Sequence, residues 1–337
     1  MDINRLTIQE WADDQGRNHG TEEPFHRPEV LHVIDRHANG ELRLYGGYKG
    51  EQLVAMAPVV VSERTVGRTV TSPPPGMGIP HLGPVLLPRS PKRRSQEKLN
   101  QRFASGLLDE LDVDDTRTLF RMVTSPAVQD SRPYAWRDLR TEPLYTYVVD
   151  LADRTPDDLE SQFSRSLRRD IRNARESDDL TVSVEGIEAA RTVFDDVASR
   201  YDEQDESFGV TWPYVSDLAE ALDDRFRTYV ARDGEGSYLS GLILLYGDDR
   251  AFFWQGGTRT DHDAGSVNSL LHWQAMVDII EDPPVMSVEG YDLMGANTER
   301  LCSYKGKFGA ELVPYFVVES TGLPMRLAKK AFDLVSK

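Results

Sequence analysis

The chain has 337 residues and a formal net charge of −17, and 39% of its residues are hydrophobic. This length allows two domains of ordinary size, each with its own core. The acidic balance excludes duplex DNA as a partner, because no extended basic stretch offsets the repulsion by phosphates. No run of roughly 18 uncharged apolar residues occurs, which excludes a membrane-spanning helix.

The charged residues also indicate the environment of the protein. The cations are 8 Lys and 31 Arg. Many carboxylates combined with Arg in preference to Lys are typical of a halophilic, acidic protein, whose self-repulsion is screened by concentrated salt. The first residues, MDINRLTIQEWADDQGR, contain no basic region followed by an apolar core. They are therefore not a secretory signal, and we expect a cytoplasmic protein.

Neither a disulfide nor a metal site is predicted. Cys302 is the single cysteine, and the 7 His have no HxxxH or HxH spacing. An intrachain disulfide is excluded, and no zinc motif is present. As a nucleophile Cys302 would need a partner His close in space, so we favour an incidental or buried thiol.

The first part of the chain predicts helix, hairpin, loop, helix and strand in that order. Residues 1–40 are expected to form a helical segment with loops, and ELRLY and QLVAMAPVVV around a YKGEQ turn predict a β-hairpin. The proline density of TSPPPGMGIPHLGPVLLP predicts a loop, because proline supplies no backbone donor. The helical period of apolar residues over 95–111 predicts a helix, and TRTLFRMVTS predicts a strand. The polar stretch 126–142 is interpreted as the crossing into a second unit, which predicts domains at 1–140 and 141–337.

The second unit opens with a predicted strand, LYTYVVDL. Thr155 as N-cap, Pro156 at the first helical position and Asp158 predict a helix start, and we expect one helix from there through Arg175. Further predicted elements are a strand at LTVSVE, helices at 187–202 and 212–222, three strands within 226–257, a helix at SVNSLLHWQAMVDIIED, strands at VEGYDLMG and ELVPYFVVES, and a closing helix at PMRLAKKAFDLVSK.

Two hairpins in the sequence resemble each other. A strand ending in Tyr45 and a strand ending in Tyr229 are each followed by a Gly-Glu turn and a long apolar strand. Chance similarity between hairpins and internal duplication both explain this. We interpret the chain as two repeated α/β (α+β) units, with mixed sheets flanked by helices.

The predicted helix FSRSLRRDIRNAR carries arginines along one face and an apolar stripe along the other. This arrangement suits phosphate or carboxylate binding. The alternative is a solvated face whose arginines pair with nearby acids. The arginines are Arg165, Arg168, Arg169, Arg172 and Arg175, and the apolar stripe is Phe163, Leu167, Ile171 and Ala174.

The segment SYKGKFG contains two of the few lysines. Lys305 follows a short predicted strand, and we expect it in a loop at the strand end, where α/β folds carry functional residues. An ammonium there can stabilise an oxyanion or hold a phosphate. The alternative for Lys305 is a solvent-exposed turn residue.

These segments, in this order, resemble the C-terminal half of the GNAT-like FemAB and BioF2-type acyltransferases. Those proteins carry an Arg-x-x-Ile-x-x-Ala helix, a small-residue turn, an Asn-x-Leu-Leu-x-Trp helix start and a Phe-Lys-x-x-Phe-Gly segment. The resemblance covers about 144–315, and the first 140 residues only by architecture. The matching residues are Arg168, Ile171 and Ala174; Gly256 and Gly257; Asn268, Leu270, Leu271 and Trp273; and Tyr304, Lys305, Phe308 and Gly309.

The resemblance implies two tandem GNAT-like domains and transfer of an acetyl or aminoacyl group to an amine of a small-molecule, sugar or peptide acceptor. The acyl donor is either acetyl-CoA (or another acyl-CoA) or aminoacyl-tRNA. Tyr304 stands where the family has Phe, and RTDHDAGSVNSLL lacks the glycine spacing of a pyrophosphate loop.

The same resemblance implies that Arg168 binds substrate and that Lys305 lies near the acyl donor and acceptor. The requirements of acyl transfer and the positions of the residues along the chain suggest the further roles. Lys305 is the expected oxyanion stabiliser, and Asp292 is the expected proton acceptor or orienting group, with a simple turn carboxylate as its alternative. An anion clamp of arginines and four lining residues complete the expected site, although a Trp in such a strand is usually a core residue. The clamp is Arg168, Arg169 and Arg172, and the lining residues are Tyr304, Trp254, Gln255 and Asn268.

Two other classes of function remain open. A catalytically silent GNAT-like module would bind an anionic ligand through the Arg-rich helix without turnover. A structural partner protein would bind neither donor.

Overall fold

The computed structural model describes residues 1–17, 23–177, 179–257 and 266–321. These residues divide into two compact units. Unit 1 holds residues 1–17, 25–144 and 314–321, and unit 2 holds residues 23–24 and the described part of 145–313. The predicted ranges 1–140 and 141–337 remain our proposal for the domains.

Unit 1 is built on a mixed sheet. Four strands pair antiparallel in the order β1–β2–β3–β4, β4 pairs parallel with β6, and the end of β13 pairs antiparallel with β6. The helix α3 buries its apolar face on this sheet against a core that includes Phe120 and Met122. The elements are β1 (Asp2–Leu6), α1 (Ile8–Arg17), α2 (Pro28–His37), β2 (Glu41–Lys49), β3 (Gln52–Glu63), β4 (Arg68–Ser72), β5 (Val85–Leu86), α3 (Arg93–Glu110), β6 (Thr118–Val123), α4 (Arg132–Ala135), the start of β7 (Arg140–Asp150) and the end of β13 (Glu311–Glu319).

Unit 2 repeats this strand order. Strands β8–β9–β10–β11 pair antiparallel, β11 pairs parallel with β12, and β12 pairs antiparallel with β7. The mixed α/β architecture predicted from the sequence is confirmed. The elements are α5 (Pro156–Gln162), α6 (Arg165–Arg175), β8 (Leu180–Glu185), α7 (Ile187–Glu203), α8 (Trp212–Leu222), β9 (Phe226–Asp233), β10 (Tyr238–Tyr246), β11 (Arg250–Gly256), α9 (Val267–Glu281), β12 (Gly290–Asp292) and α10 (Glu299–Lys305), followed by a 3₁₀ turn, Gly306–Phe308.

Most predicted elements are confirmed, including both hairpins. Three elements in the first 72 residues were not predicted, namely β1, α2 and β4. The closing helix predicted at PMRLAKKAFDLVSK lies outside the described residues. Among the helices of the described ranges, none has the length and apolar character needed to span a membrane.

The helix predicted from Thr155 to Arg175 is in fact two helices. The predicted start is confirmed as a capping box, in which the Thr155 hydroxyl accepts from Asp158 N and the Asp158 carboxylate accepts from Thr155 N. The prediction of one continuous helix was wrong, because Phe163 is extended and Ser164 starts a second helix. The Ser164 amide donates to Lys307 O at 2.8 Å, so a distant segment fixes the break.

Candidate active site

The helix α6 docks on the core of unit 2 by its apolar stripe. Leu167, Ile171 and Ala174 are buried, as predicted from their spacing. Phe163, just before the helix, packs edge-on against Trp273 at 5.9 Å and Phe308 at 5.5 Å. The helix therefore lies against α9 and against the 3₁₀ turn that follows Lys305.

The arginines of α6 divide into two groups. Arg169 pairs with the adjacent Asp170 at 3.6 Å, and Arg175 pairs with Glu160 at 3.6 Å. Within the described part of the chain, the others have no carboxylate partner. The solvated, acid-paired alternative therefore fits two arginines, and three are left for an anion: Arg165, Arg168 and Arg172.

Lys305 is the last residue of α10 and is buried, with a relative exposure of 6%. The expectation of a loop position was wrong, because Thr298 caps a helix that runs through Lys305. The Lys305 ammonium donates to the carbonyl oxygens of Met294 and Gly295, the latter at 3.0 Å. It also lies 5.7 Å from the ring centre of Phe253, within the range of a cation–π contact.

Asp292 ends β12 and is fully buried. Its Oδ1 accepts from the Thr146 hydroxyl at 2.5 Å and from Met294 N at 2.7 Å. Asp292 and Lys305 therefore bind the same loop, which we call the 293–297 loop. The two residues predicted to be catalytic are brought together around it.

Burial governs the charge of Lys305. Removal from water lowers the pKa of the Lys305 ammonium to about 8, although the nearby Asp292 and Cys302 act to raise it. A loss of its proton near neutral pH is therefore accessible to this group, in contrast to an exposed lysine.

A buried histidine in the same cluster was missed by the sequence analysis. His272 Nδ1 lies 2.7 Å from the Tyr291 hydroxyl. Burial and the charge of Lys305 lower the pKa of His272 to about 3, so its imidazole is neutral at neutral pH. The signal was available, since His272 interrupts the apolar run of α9 in NSLLHWQAM.

Tyr304 joins this cluster through its ring. It lies 6.1 Å from His272 and 5.6 Å from Phe308, between ring centres. Burial raises the pKa of the Tyr304 phenol to about 12, and the nearby Ser269 side chain acts against that rise. Tyr304 is thus a neutral hydrogen-bonding group beside Lys305.

Two predicted lining residues do not join the cluster. Gln255 pairs across the ladder with Ile243, whose neighbours Leu242 and Leu244 face the α9 core. Since side chains alternate along a strand, Gln255 faces away from α9. Trp254 is buried and packs edge-on against Tyr214 at 6.1 Å, which is the core role weighed against a site role.

Asn268 lies in the first turn of α9. Its Oδ1 accepts from the Ser240 hydroxyl at 2.7 Å, which ties the start of α9 to β10. Gly256 and Gly257 precede it with φ of +119° and +72°, in the left-handed region. A Cβ on Gly256 would lie 2.1 Å from Gly241 O, so only glycine fits this close approach of two strands.

The comparison with known proteins places a domain over these residues. Residues 161–306 match the family model described as "Acetyltransferase (GNAT) domain". This range contains α6, β11, α9, Asp292 and Lys305. No curated protein matches the sequence.

Solved structures give the same fold over nearly the whole chain. FemX is 12% identical, with 94% of this chain and 97% of that chain covered and a TM-score of 0.64. L-PGS from Bacillus licheniformis is 14% identical, with 94% and 98% covered and a TM-score of 0.54. A tandem GNAT protein from the clavulanic acid biosynthesis pathway is 12% identical, with 94% and 97% covered and a TM-score of 0.51. The predicted resemblance to GNAT-like acyltransferases and the tandem GNAT-like fold are confirmed.

Proposed function

We propose that this chain, whose residues 161–306 match the GNAT-domain family model, is an N-acyltransferase that moves an acetyl or aminoacyl group to the amine of a small-molecule, sugar or peptide acceptor. The observation that carries the proposal is the buried Lys305 ammonium at the carboxyl end of β12, within the matched range. Carboxyl ends of strands are where α/β sheets bind ligands.

The reaction requires a stabiliser for the oxyanion that forms when the amine attacks the acyl carbonyl. An ammonium has three N–H donors, and the 293–297 loop uses two of them. We assign the third to the developing oxyanion. When the oxyanion collapses, the bond from the acyl carbon to the sulfur of CoA or to the ribose oxygen of the tRNA breaks. The amine loses its proton, and a water molecule is sufficient to carry that proton to the leaving thiolate or alkoxide.

Asp292 is assigned an orienting role rather than direct proton transfer. Its Oδ1 is engaged by Thr146 and by Met294 N, which fixes the turn that presents both carbonyl oxygens to Lys305. Its negative charge also favours the protonated form of Lys305. Asp292 thus supports the charge on which oxyanion stabilisation depends.

The donor is proposed to be a phosphate-bearing acyl carrier, either acetyl-CoA or aminoacyl-tRNA. Arg168 and Arg172 form the proposed clamp for its phosphates, since guanidinium groups match phosphate geometry. Arg169, the third residue of the predicted clamp, can join them because its exposed pair with Asp170, at 3.6 Å, is weak enough to exchange for a phosphate. The start of α6 is linked to the Lys305 segment by the hydrogen bond between Ser164 N and Lys307 O. The convergence of these side chains on one ligand remains part of the proposal.

A transfer assay tests this function. Purified protein is incubated with a panel of amines and either labelled acetyl-CoA or charged tRNA, and the Lys305→Met variant is compared with Arg191→Gln on the surface of α7. We expect label transfer from one donor, lost in Lys305→Met and retained in Arg191→Gln. Equal activity of Lys305→Met and the unmodified protein would reject the assignment.

A silent anion-binding module is the second candidate function. It is favoured by the two hydrogen bonds from the Lys305 ammonium to backbone carbonyl groups, because such bonds can stabilise the fold without any catalytic role. It predicts donor binding that is weakened by Arg168→Gln and Arg169→Gln, without turnover of any acceptor. Binding and transfer measured on the same preparation separate the two candidates.

We also propose a cytoplasmic location and adaptation to high salt, from the net charge of −17. Screening of this charge should stabilise the fold. The midpoint of thermal unfolding should rise as KCl increases from about 0.1 to 2 M. A midpoint that falls over this range would contradict the adaptation.

A further inference from the structure

Each unit contains one crossover between parallel strands. In unit 1 the chain passes from β4 through α3 to β6, and in unit 2 from β11 through α9 to β12. Ligands of α/β sheets bind beyond the carboxyl ends of such strands. Each unit therefore has one position beyond the carboxyl ends of its parallel strands where a ligand could bind. The two positions are built differently.

In unit 2 the parallel strands separate. The strands β11 and β12 pair only over Arg250–Phe252 and Gly290–Asp292. β11 continues to Gly256, whereas the chain after β12 follows β7, with Leu293 N donating to Tyr147 O at 2.8 Å. Within the described residues, the edge of β11 beyond Phe252 is thus not bonded to β12.

In unit 1 the chain itself fills the corresponding position, beyond the carboxyl end of β4. Beyond Ser72, where β4 ends, a segment that we call the insert (residues 82–87) is bonded to the continuation of β6. Leu82 N and Gly83 N both donate to Val123 O at 3.3 Å, and Ser125 N donates to Gly83 O at 3.1 Å. Gly83 also forms a parallel bridge with Thr124.

The other edge of the insert is bonded to β3. Val85 and Leu86 pair antiparallel with Met56 and Ala55, and Leu87 N donates to Val54 O at 2.9 Å. Since β3 runs antiparallel to β4, these β3 residues are the ones that a longer β4 would have paired with. The insert therefore takes the place in the sheet that lies beyond the end of β4.

The insert is tightly packed as well as hydrogen-bonded. Leu82 is fully buried, and His81 just before it packs edge-on against Tyr315 at 5.7 Å. A Cβ on Gly83 would lie 3.0 Å from the Ser72 hydroxyl, so the backbone approaches the end of β4 closely. An added ligand would have to break backbone hydrogen bonds and expose buried groups, which is costly.

We propose that the insert closes the β4–β6 strand ends of unit 1 to ligands, and that the chain therefore binds one acyl donor, in unit 2. The closure of unit 1 is argued from the contacts of the insert. The binding of a single donor in unit 2 rests on the proposed function. Unit 1 is then a partner of the reaction without a donor site of its own.

Hydrogen exchange and donor titration test the two halves separately. Peptides covering 80–90 should exchange as slowly as those covering β6, with and without saturating acetyl-CoA or charged tRNA. Titration with the donor that supports transfer should give one molecule bound per chain. Fast exchange of the insert, exposure of the insert by donor, or two donors per chain would overturn the inference. If neither donor supports transfer, the proposed function is rejected, and the exchange measurement still tests whether the insert closes unit 1.

A proline variant adds a second measurement. Leu87→Pro removes the N–H that donates to Val54 O. We expect faster exchange over 80–90 and a transfer rate within about twofold of the unmodified protein, because none of the residues proposed to bind the donor belongs to the insert. Val66→Ala, at a side chain that is 82% exposed, is the matched control. A tenfold or larger loss of transfer in Leu87→Pro with unchanged exchange in unit 2 would show that the insert takes part in the reaction.

Discussion

The ammonium nitrogen of Lys305 lies 3.0 Å from the carbonyl oxygen of Gly295, the second of two consecutive residues with a left-handed backbone. Met294, a non-glycine residue, has a φ of 54°, a conformation that costs free energy unless its surroundings enforce it. Lys305 from one side and Asp292 from the other supply that enforcement. The loop at the end of β12 therefore depends on two opposite charges.

Lys305→Met should lower transfer by at least about 100-fold, because the oxyanion loses a charged donor. The free energy of unfolding should change by less than about 2 kcal/mol, since two lost hydrogen bonds are offset by removal of a buried charge. Initial rates and urea denaturation measure the two quantities. Lys305→Arg keeps the charge with a different shape and should restore part of the rate. A rate above half of the original in Lys305→Met would contradict the role of the ammonium.

The pH profile of transfer should carry the signature of Lys305. With its pKa at about 8, transfer that needs the ammonium should fall tenfold per pH unit above that value. Asp292→Asn removes the attraction that raises the pKa of Lys305, so this alkaline limb should move to lower pH. Thr146→Val leaves the charge of Asp292 in place and should leave the limb where it is. If Asp292→Asn leaves the alkaline limb unchanged, the limb reflects the titration of a group other than Lys305.

His272 should make the protein sensitive to acid. Its pKa is about 3 in the folded state against 6.5 as the ordinary value, so the unfolded chain binds a proton more readily. The stability contributed by neutral His272 is complete above pH 6.5 and is lost as the pH falls toward 3. Between pH 6.5 and pH 5 the loss amounts to about 2 kcal/mol.

Denaturation curves of the unmodified protein and His272→Gln, at pH 7 and pH 5, check this effect. The glutamine keeps a hydrogen-bonding group near Tyr291 but does not titrate. We expect the variant to lose about 2 kcal/mol less on acidification. Equal losses in both proteins would mean that His272 is already protonated in the folded state.

The α6 arginines that have no carboxylate partner among the described residues should govern donor affinity. Arg168→Gln and Arg172→Gln should each weaken binding of the active donor by about 10- to 150-fold, because a hydrogen bond to a charged group is worth about 1.5–3 kcal/mol. The double variant should also flatten the dependence of affinity on salt. Calorimetric titration at two KCl concentrations measures both effects. Arg191→Gln, in an ion pair with Asp195 at 2.9 Å, is the control, and an equal loss there would point to net charge rather than a clamp.

The local parts of this architecture were predictable, and the long-range parts were not. The apolar stripe of α6 and the capping box at Thr155 are fixed by neighbouring residues, and both were found. The break before α6 depends on Ser164 N meeting Lys307 O, a contact between segments far apart in the chain. The spacing of residues within α5 and α6 therefore does not reveal that Ser164 N has this distant partner.

The position of Lys305 illustrates a different reason for error. Thr298 followed by Glu299 and Leu301 carries a helix-start signal, and the Thr298 hydroxyl accepts from Leu301 N. The loop was predicted from the short strand that precedes Lys305, without use of that signal. Burial of a lysine by two carbonyl groups is a tertiary effect, and only the fold places Met294 and Gly295 within its reach.

The pairing of Val317–Glu319 with Arg121–Val123 has a consequence for biosynthesis. A ribosome releases β6 long before it has translated the strand that covers this edge. This edge of β6 in the nascent chain therefore keeps its backbone groups exposed and unpaired until about 200 further residues have been translated. Chaperone dependence in the cell should consequently be concentrated in the interval before residue 317 emerges.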